Sequence, residues 1–230
     1  MTELDGAVQF FAHRAAVGVE RPPLPEPTVL RWLTLAGVEL TAAVAVISSL
    51  VNFRRLQVIR DYVDGVATST DVEHGDDIAR SFVVVLGCLV VFTTLMLAMW
   101  TFRTVKNAAV RHPSTAPGPW GAALFWFVPI GWYIVPWSRL RWASRAGGAP
   151  DVGMLTMWQV LFLFSTCTGS LGSWWARDVN QSSVDDIVTN FERYAIVTAM
   201  GAVLVVSSAV AAVLAMPRID RQTSGTAPRL

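Results

Sequence analysis

Four long apolar runs, at 32–53, 82–102, 154–175 and 194–216, constrain this chain more than any other feature. Each holds 21 to 23 residues. A helix needs about 20 to cross the hydrocarbon core of a bilayer, and buried helices of soluble proteins rarely need runs this long. The rest of the composition agrees, because only 15% of residues are charged and the mean hydropathy is +0.46. A soluble domain is closer to about a quarter charged. Ten Trp against three Tyr adds a residue favoured at membrane interfaces, and Trp32, Trp100, Trp174 and Trp175 mark run ends. The expected fold is all-α, a polytopic helical membrane protein. Net charge is +1 with no basic stripe interleaved with aromatics, which argues against a nucleic-acid partner.

A fifth apolar stretch, "GPWGAALFWFVPIGWYIVPW" at 118–137, is uncharged but carries Pro129, Gly131 and Pro136. Proline removes a backbone donor and displaces the carbonyl four residues earlier, here that of Phe125. The stretch is therefore either a kinked fifth span or a re-entrant or interfacial hinge. Charge separates the two. If the hinge returns, the two termini and its two flanks carry twelve of the 18 basic residues on one side, leaving six on the other. The six-charge side also holds ten acids. If the hinge crosses, the bias disappears. Short cytoplasmic loops collect Lys and Arg, so the expectation is four spans, arranged as two hairpins, with both termini in the cytoplasm.

The expected organisation is a cytoplasmic arm at 1–29 ending in the Pro-rich "RPPLPEP", a helical membrane domain at 30–216, and a cytoplasmic tail at 217–230. The arm lacks the basic start and long apolar core of a signal peptide. An internal echo, "DDIARSF" at 76–82 and "DDIVTNF" at 185–191, places two acids where a helix would begin ahead of the second and fourth runs. The loops between paired runs also carry helical patterns, through Leu56, Ile59, Val63 and Val66, and through Val184, Ile187, Val188 and Phe191.

Trp100, Arg103, Asn107 and Ala108, followed by Trp120, then Phe127, Val128 and Pro129, Pro136, and "WAS" at 142–144, resemble a family of bacterial integral membrane proteins known as domain of unknown function 4328. The specific part of the likeness covers about residues 100–144 of a broader match over 30–216. It departs at Trp132, where the family pattern tends to have Asn. The resemblance implies a fold class and topology and carries no activity.

Glu39 is the only acid inside a run, and it sits about 10 Å below the interface marked by Trp32. An ionised group at a helix centre costs about 2.5–3.5 kcal/mol on insertion scales, so it is expected to be neutral, paired or facing water. Its helical face carries Ala36, Ala42, Ala43, Val46 and Ser49, mostly small residues that admit a second helix. One reading is an ion or proton site inside the bundle. The other is a protonated carboxyl bonding a nearby Thr or Ser, such as Thr93 or Ser165. Arg103, Lys106 and Asn107 follow the second run and form a candidate clasp on the hinge or a contact for lipid headgroups, although ordinary positive-inside anchoring also explains the two cations.

Catalytic patterns are missing. His13, His74 and His112 are isolated, so no metal site is expected, and there is no nucleophile elbow or phosphate loop. "TGSLGS" at 168–173 suits helix packing. Cys88 and Cys167 lie in apolar runs and read as small buried hydrophobes. The expectation is a non-enzymatic interaction or assembly component of the membrane, without cofactor, whose partners are lipid, a second copy or another membrane protein. The alternative is a transporter or channel subunit using Glu39.

Overall fold

The computed structural model describes residues 28–128, 131–147, 152–177 and 184–224. Among them every regular element is helical. Helix α1 spans Thr28–Val63, α2 Ser69–Arg111, α3 Pro119–Leu124, α4 Val135–Ala146, α5 Val152–Arg177 and α6 Val184–Ser224. Three of these, α1, α2 and α6, are long and apolar enough to cross a membrane, and α5 contributes a shorter apolar stretch, Gly153–Thr168. The chain therefore has the build of a helical membrane protein.

The long helices outrun their apolar cores. With 36, 43 and 41 residues, α1, α2 and α6 extend about 54, 65 and 62 Å, roughly twice a hydrocarbon core of about 30 Å. At the α1/α2 turn, Arg55 Nε lies 2.5 Å from Asp76 Oδ1 and its guanidinium stands over the Phe191 ring at 4.5 Å. Arg60 of α1 pairs with Glu192 of α6 at 3.2 Å at an exposed site, which adds little to stability. Leu56 and Ile59 are buried here, whereas Val63 and Val66 are exposed. The acids of the first echo do not begin a helix. α2 starts earlier, at a capping box in which Thr68 and Asp71 satisfy each other's backbone N–H groups.

In space α1 packs between α2 and α6, and α6 packs in turn on α5. Small residues set how closely they approach. A Cβ on Gly37 would lie 2.9 Å from Thr93 Oγ1 across the α1–α2 seam, and one on Gly201 3.2 Å from Thr168 Oγ1 across the α5–α6 seam. Thr93 is also within 3.1 Å of the Thr41 hydroxyl. Alanines 202, 209, 211, 212 and 215 do the same along α6.

The hinge is not one helix. It folds as α3, a 3₁₀ turn at Phe125–Phe127, a second at Gly131–Tyr133, and the start of α4. Pro119 and Pro136 sit in the first turns of α3 and α4, where the missing N–H has no helical partner to lose. Pro129, the expected break point, lies outside the described residues. Trp126 and Trp137 from the hinge meet edge to face at 5.7 Å, and Trp137 meets Trp158 of α5 at 5.0 Å. Trp100 of α2 meets Trp158 at 6.2 Å. The hinge thus fills the gap between α2 and α5 with aromatic rings. Trp126 and Trp137 are core, as is Trp100, and of the hinge tryptophans Trp120 is the well-exposed one.

Candidate functional site

Proline at 217 suggests a helix end, but α6 continues through it to Ser224, so the residues expected to begin a tail are part of the fold. The last turns are buried, and Asp220 has no solvent exposure. Its carboxylate is shared between two helices. Trp100 Nε1–H donates to Oδ1 at 3.0 Å, and Arg31 Nη1 approaches Oδ2 at 3.4 Å. Thr223 Oγ1 donates to the Ile219 carbonyl at 2.9 Å and Ser224 Oγ to the Asp220 carbonyl at 2.7 Å, so both buried hydroxyls are satisfied by the backbone of their own helix. A buried carboxylate is tolerated only when paired and bonded, and this one is both. Arg31 lies at the start of α1, Trp100 near the end of α2 and Asp220 at the end of α6. The clasp therefore ties three helices at the hinge end.

A second polar group lies beside it. Trp126 Nε1–H donates to Thr101 Oγ1 at 3.1 Å, pinning the hinge to α2. Arg141 of α4 donates through Nη2 to Gln159 Oε1 of α5, and Gln159 Nε2 donates at 2.7 Å to the Tyr133 carbonyl. Gln159 thereby joins α4, α5 and the second 3₁₀ turn.

The residues singled out from sequence are distributed otherwise. Glu39 is exposed on the outer face of α1 with Ala36, Leu40 and Ala43, while Thr34, Ala42 and Ser49 face inward. The small residues of this helix line two faces, and the carboxyl sits on the outer one rather than inside the bundle. Thr93, a proposed partner for Glu39, is engaged with Thr41 instead. Arg103 and Lys106 are exposed, with Lys106 Nζ 6.0 Å from the centre of the Phe102 ring, whereas Asn107 is buried with its Nδ2 lacking an acceptor. Of the three, only Asn107 faces into the fold. Gly131 packs against Phe125, leaving no room for a Cβ. His74 and His112 are exposed, and no group of three metal-binding side chains occurs among the described residues. Cys88 and Cys167 are both exposed on apolar helix faces, which corrects their reading as buried.

No family model, curated protein or solved structure matches the chain.

The clasp residues were not legible as a site. Trp100 reads as an interfacial marker, Arg31 as part of a positive flank, and Asp220 as part of a tail. The available signal was that Asp220 is the sole acid after Glu192, just as Gln159 is a lone amide within an apolar run.

Proposed function

We propose that the protein is a non-enzymatic assembly component of a bacterial cytoplasmic membrane, crossing it four times with both termini in the cytoplasm. The returning hinge is supported by one small cluster in which Ala122 of α3 and Ala143 of α4 both pack on Val105 and Ala108 of α2. Contact with one level of α2 on both sides of the break fits a return better than a crossing. Its helices, six and twelve residues long, reach only about 9 and 18 Å. The twelve-to-six distribution of basic residues favours the same topology.

The assembly role rests on the outward position of Glu39. A carboxyl facing lipid costs free energy that a neighbouring transmembrane helix removes by offering a donor or a cation. Ala36 and Ala43, one turn to either side, let such a helix come close. A transport site using this carboxyl would need a second chain to enclose it, which again requires assembly.

The test places a single cysteine at Ala43 in a chain whose Cys88 and Cys167 are replaced by Ala, and cross-links it in native membranes. Cross-linked species are expected with Glu39 present, and their loss in Glu39→Leu. A monomer indifferent to that change overturns the assembly role. Loss of proton flux in Glu39→Gln with cross-linking intact would favour transport. Impermeant maleimide applied to cysteines at Asp64, Thr115 and Arg145 tests the topology: Thr115 and Arg145 should react alike, and Asp64 oppositely.

A further inference from the structure

Arg141 carries a charge that no carboxylate among the described residues is seen to neutralise. Its guanidinium is half-buried between α4 and α5, and its one hydrogen-bond partner among the described residues is the neutral amide of Gln159. Its Nε is buried and has no acceptor. Between Asp77 and Asp185 the sequence has two carboxylates, Asp151 and Asp178, and both lie outside the described residues. The acid that does reach this end of the bundle, Asp220, is engaged by Trp100 and Arg31.

The guanidinium is also held in place. Gln159 is fixed by its bond to the Tyr133 carbonyl and so orients the arginine it accepts from. Trp132, against Phe162 one turn along α5 from Gln159, has a second buried donor, Nε1, without an acceptor. Arg145, four residues on from Arg141 and exposed, extends positive charge along the same face of α4. A half-buried cation with one unmatched donor, beside a second on the preceding 3₁₀ turn, suits an anion with several acceptor oxygens, and phosphate matches the planar fork of arginine.

We infer that Arg141, oriented by Gln159 and supported by Arg145, binds a phosphate-bearing anion, and that its source is the headgroup of an anionic phospholipid. The apolar surface beside the site favours the lipid over free phosphate. Ile134, next to Tyr133, and Leu163, one turn along α5 from Gln159, are 64% and 37% exposed, and they offer a track for an acyl chain. This site is separate from Glu39 and from Arg103 and Lys106. It rests on the reading of the chain as a membrane protein and not on its assembly.

The experiment is retention of lipid by the full-length protein in detergent, read by native mass spectrometry after equilibration with phosphatidylglycerol or phosphatidylcholine. Selective retention of phosphatidylglycerol is expected, weakened about tenfold to a hundredfold in Arg141→Gln and less in Arg145→Gln. Gln159→Leu should weaken it too, since the guanidinium loses its support. Phenylglyoxal modification of Arg141 in the unaltered protein gives a readout that needs no variant: phosphatidylglycerol should protect it. Protection by inorganic phosphate at the same concentration, with no preference between the lipids, would overturn the lipid source and leave a free-phosphate site. No protection by either, or equal retention in Arg141→Gln, overturns the site. Glu39→Leu should leave all of these readouts unchanged, so failure of the assembly role would be seen separately.

Discussion

The indole N–H of Trp100 donates to Asp220 at 3.0 Å, and neither side chain has any exposure to solvent. With Arg31 on the other carboxylate oxygen, this bond joins residues 120 and 189 positions apart. It holds the start of α1, the end of α2 and the end of α6 at one point.

Replacing Asp220 by Ala should therefore destabilise the protein by about 3–5 kcal/mol, because Arg31 loses a carboxylate in a largely buried site. Trp100→Phe, which removes only the donor, should lose about 1–3 kcal/mol. The double variant should fall short of the sum, since both changes break the same bond. Denaturant unfolding in micelles measures all three. Additive losses would mean that the two groups act independently.

Thr101→Val is nearly isosteric but removes the acceptor for the buried Trp126 N–H. The expected loss is about 1–3 kcal/mol, with Thr101→Ser close to the unaltered protein. Trp126 fluorescence, isolated by replacing the remaining tryptophans in turn, should report a less ordered hinge in the Val variant alone.

Gly131→Ala forces a methyl into the Phe125 ring, at a cost of about 1–3 kcal/mol for overpacking. Phe125→Ala in the same chain makes room and should recover much of that loss. A thermal-unfolding cycle of the two variants checks the coupling.

Asp71 answers to pH. The Thr68 hydroxyl donates to its carboxylate at 2.7 Å and the Thr68 backbone N–H at 2.8 Å, which holds its pKa below the ordinary 3.8. Both bonds are stronger to the charged form. Their support of the first turn of α2 is complete above the ordinary value and fades as pH falls through the lower folded one. Thr68→Ala should return Asp71 toward the ordinary pKa and speed amide exchange at Asp71 and Val72. Carboxyl carbon shifts and hydrogen exchange measure the two effects.

The membrane character of this chain was readable because lipid imposes a simple demand, about 20 apolar residues in sequence, and 82–102 or 194–216 meets it without reference to the rest of the fold. Rotation about each helix axis is not set that way. α1 has small residues on two faces, and which one turns inward depends on the packing of α2 and α6, so Glu39 was read toward the wrong neighbours. Helix ends were misread for a related reason. Pro217 weakens one backbone bond, but burial of Ile219, Asp220 and Thr223 outweighs that loss, and no local pattern announces it. The tryptophans of the hinge illustrate the same limit: four rings suit an interface, yet two of them are what α2 and α5 close upon.

The clasp on Asp220 also has a place in time. A chain is synthesised from its N-terminus at about 5–20 residues per second, so on the order of ten seconds separates the appearance of Trp100 from that of its acceptor. Throughout that interval Arg31 and Trp100 exist without the carboxylate that satisfies them. The end of the bundle that holds the hinge thus stays open while the earlier helices form, and it locks only when the last turns of α6 emerge.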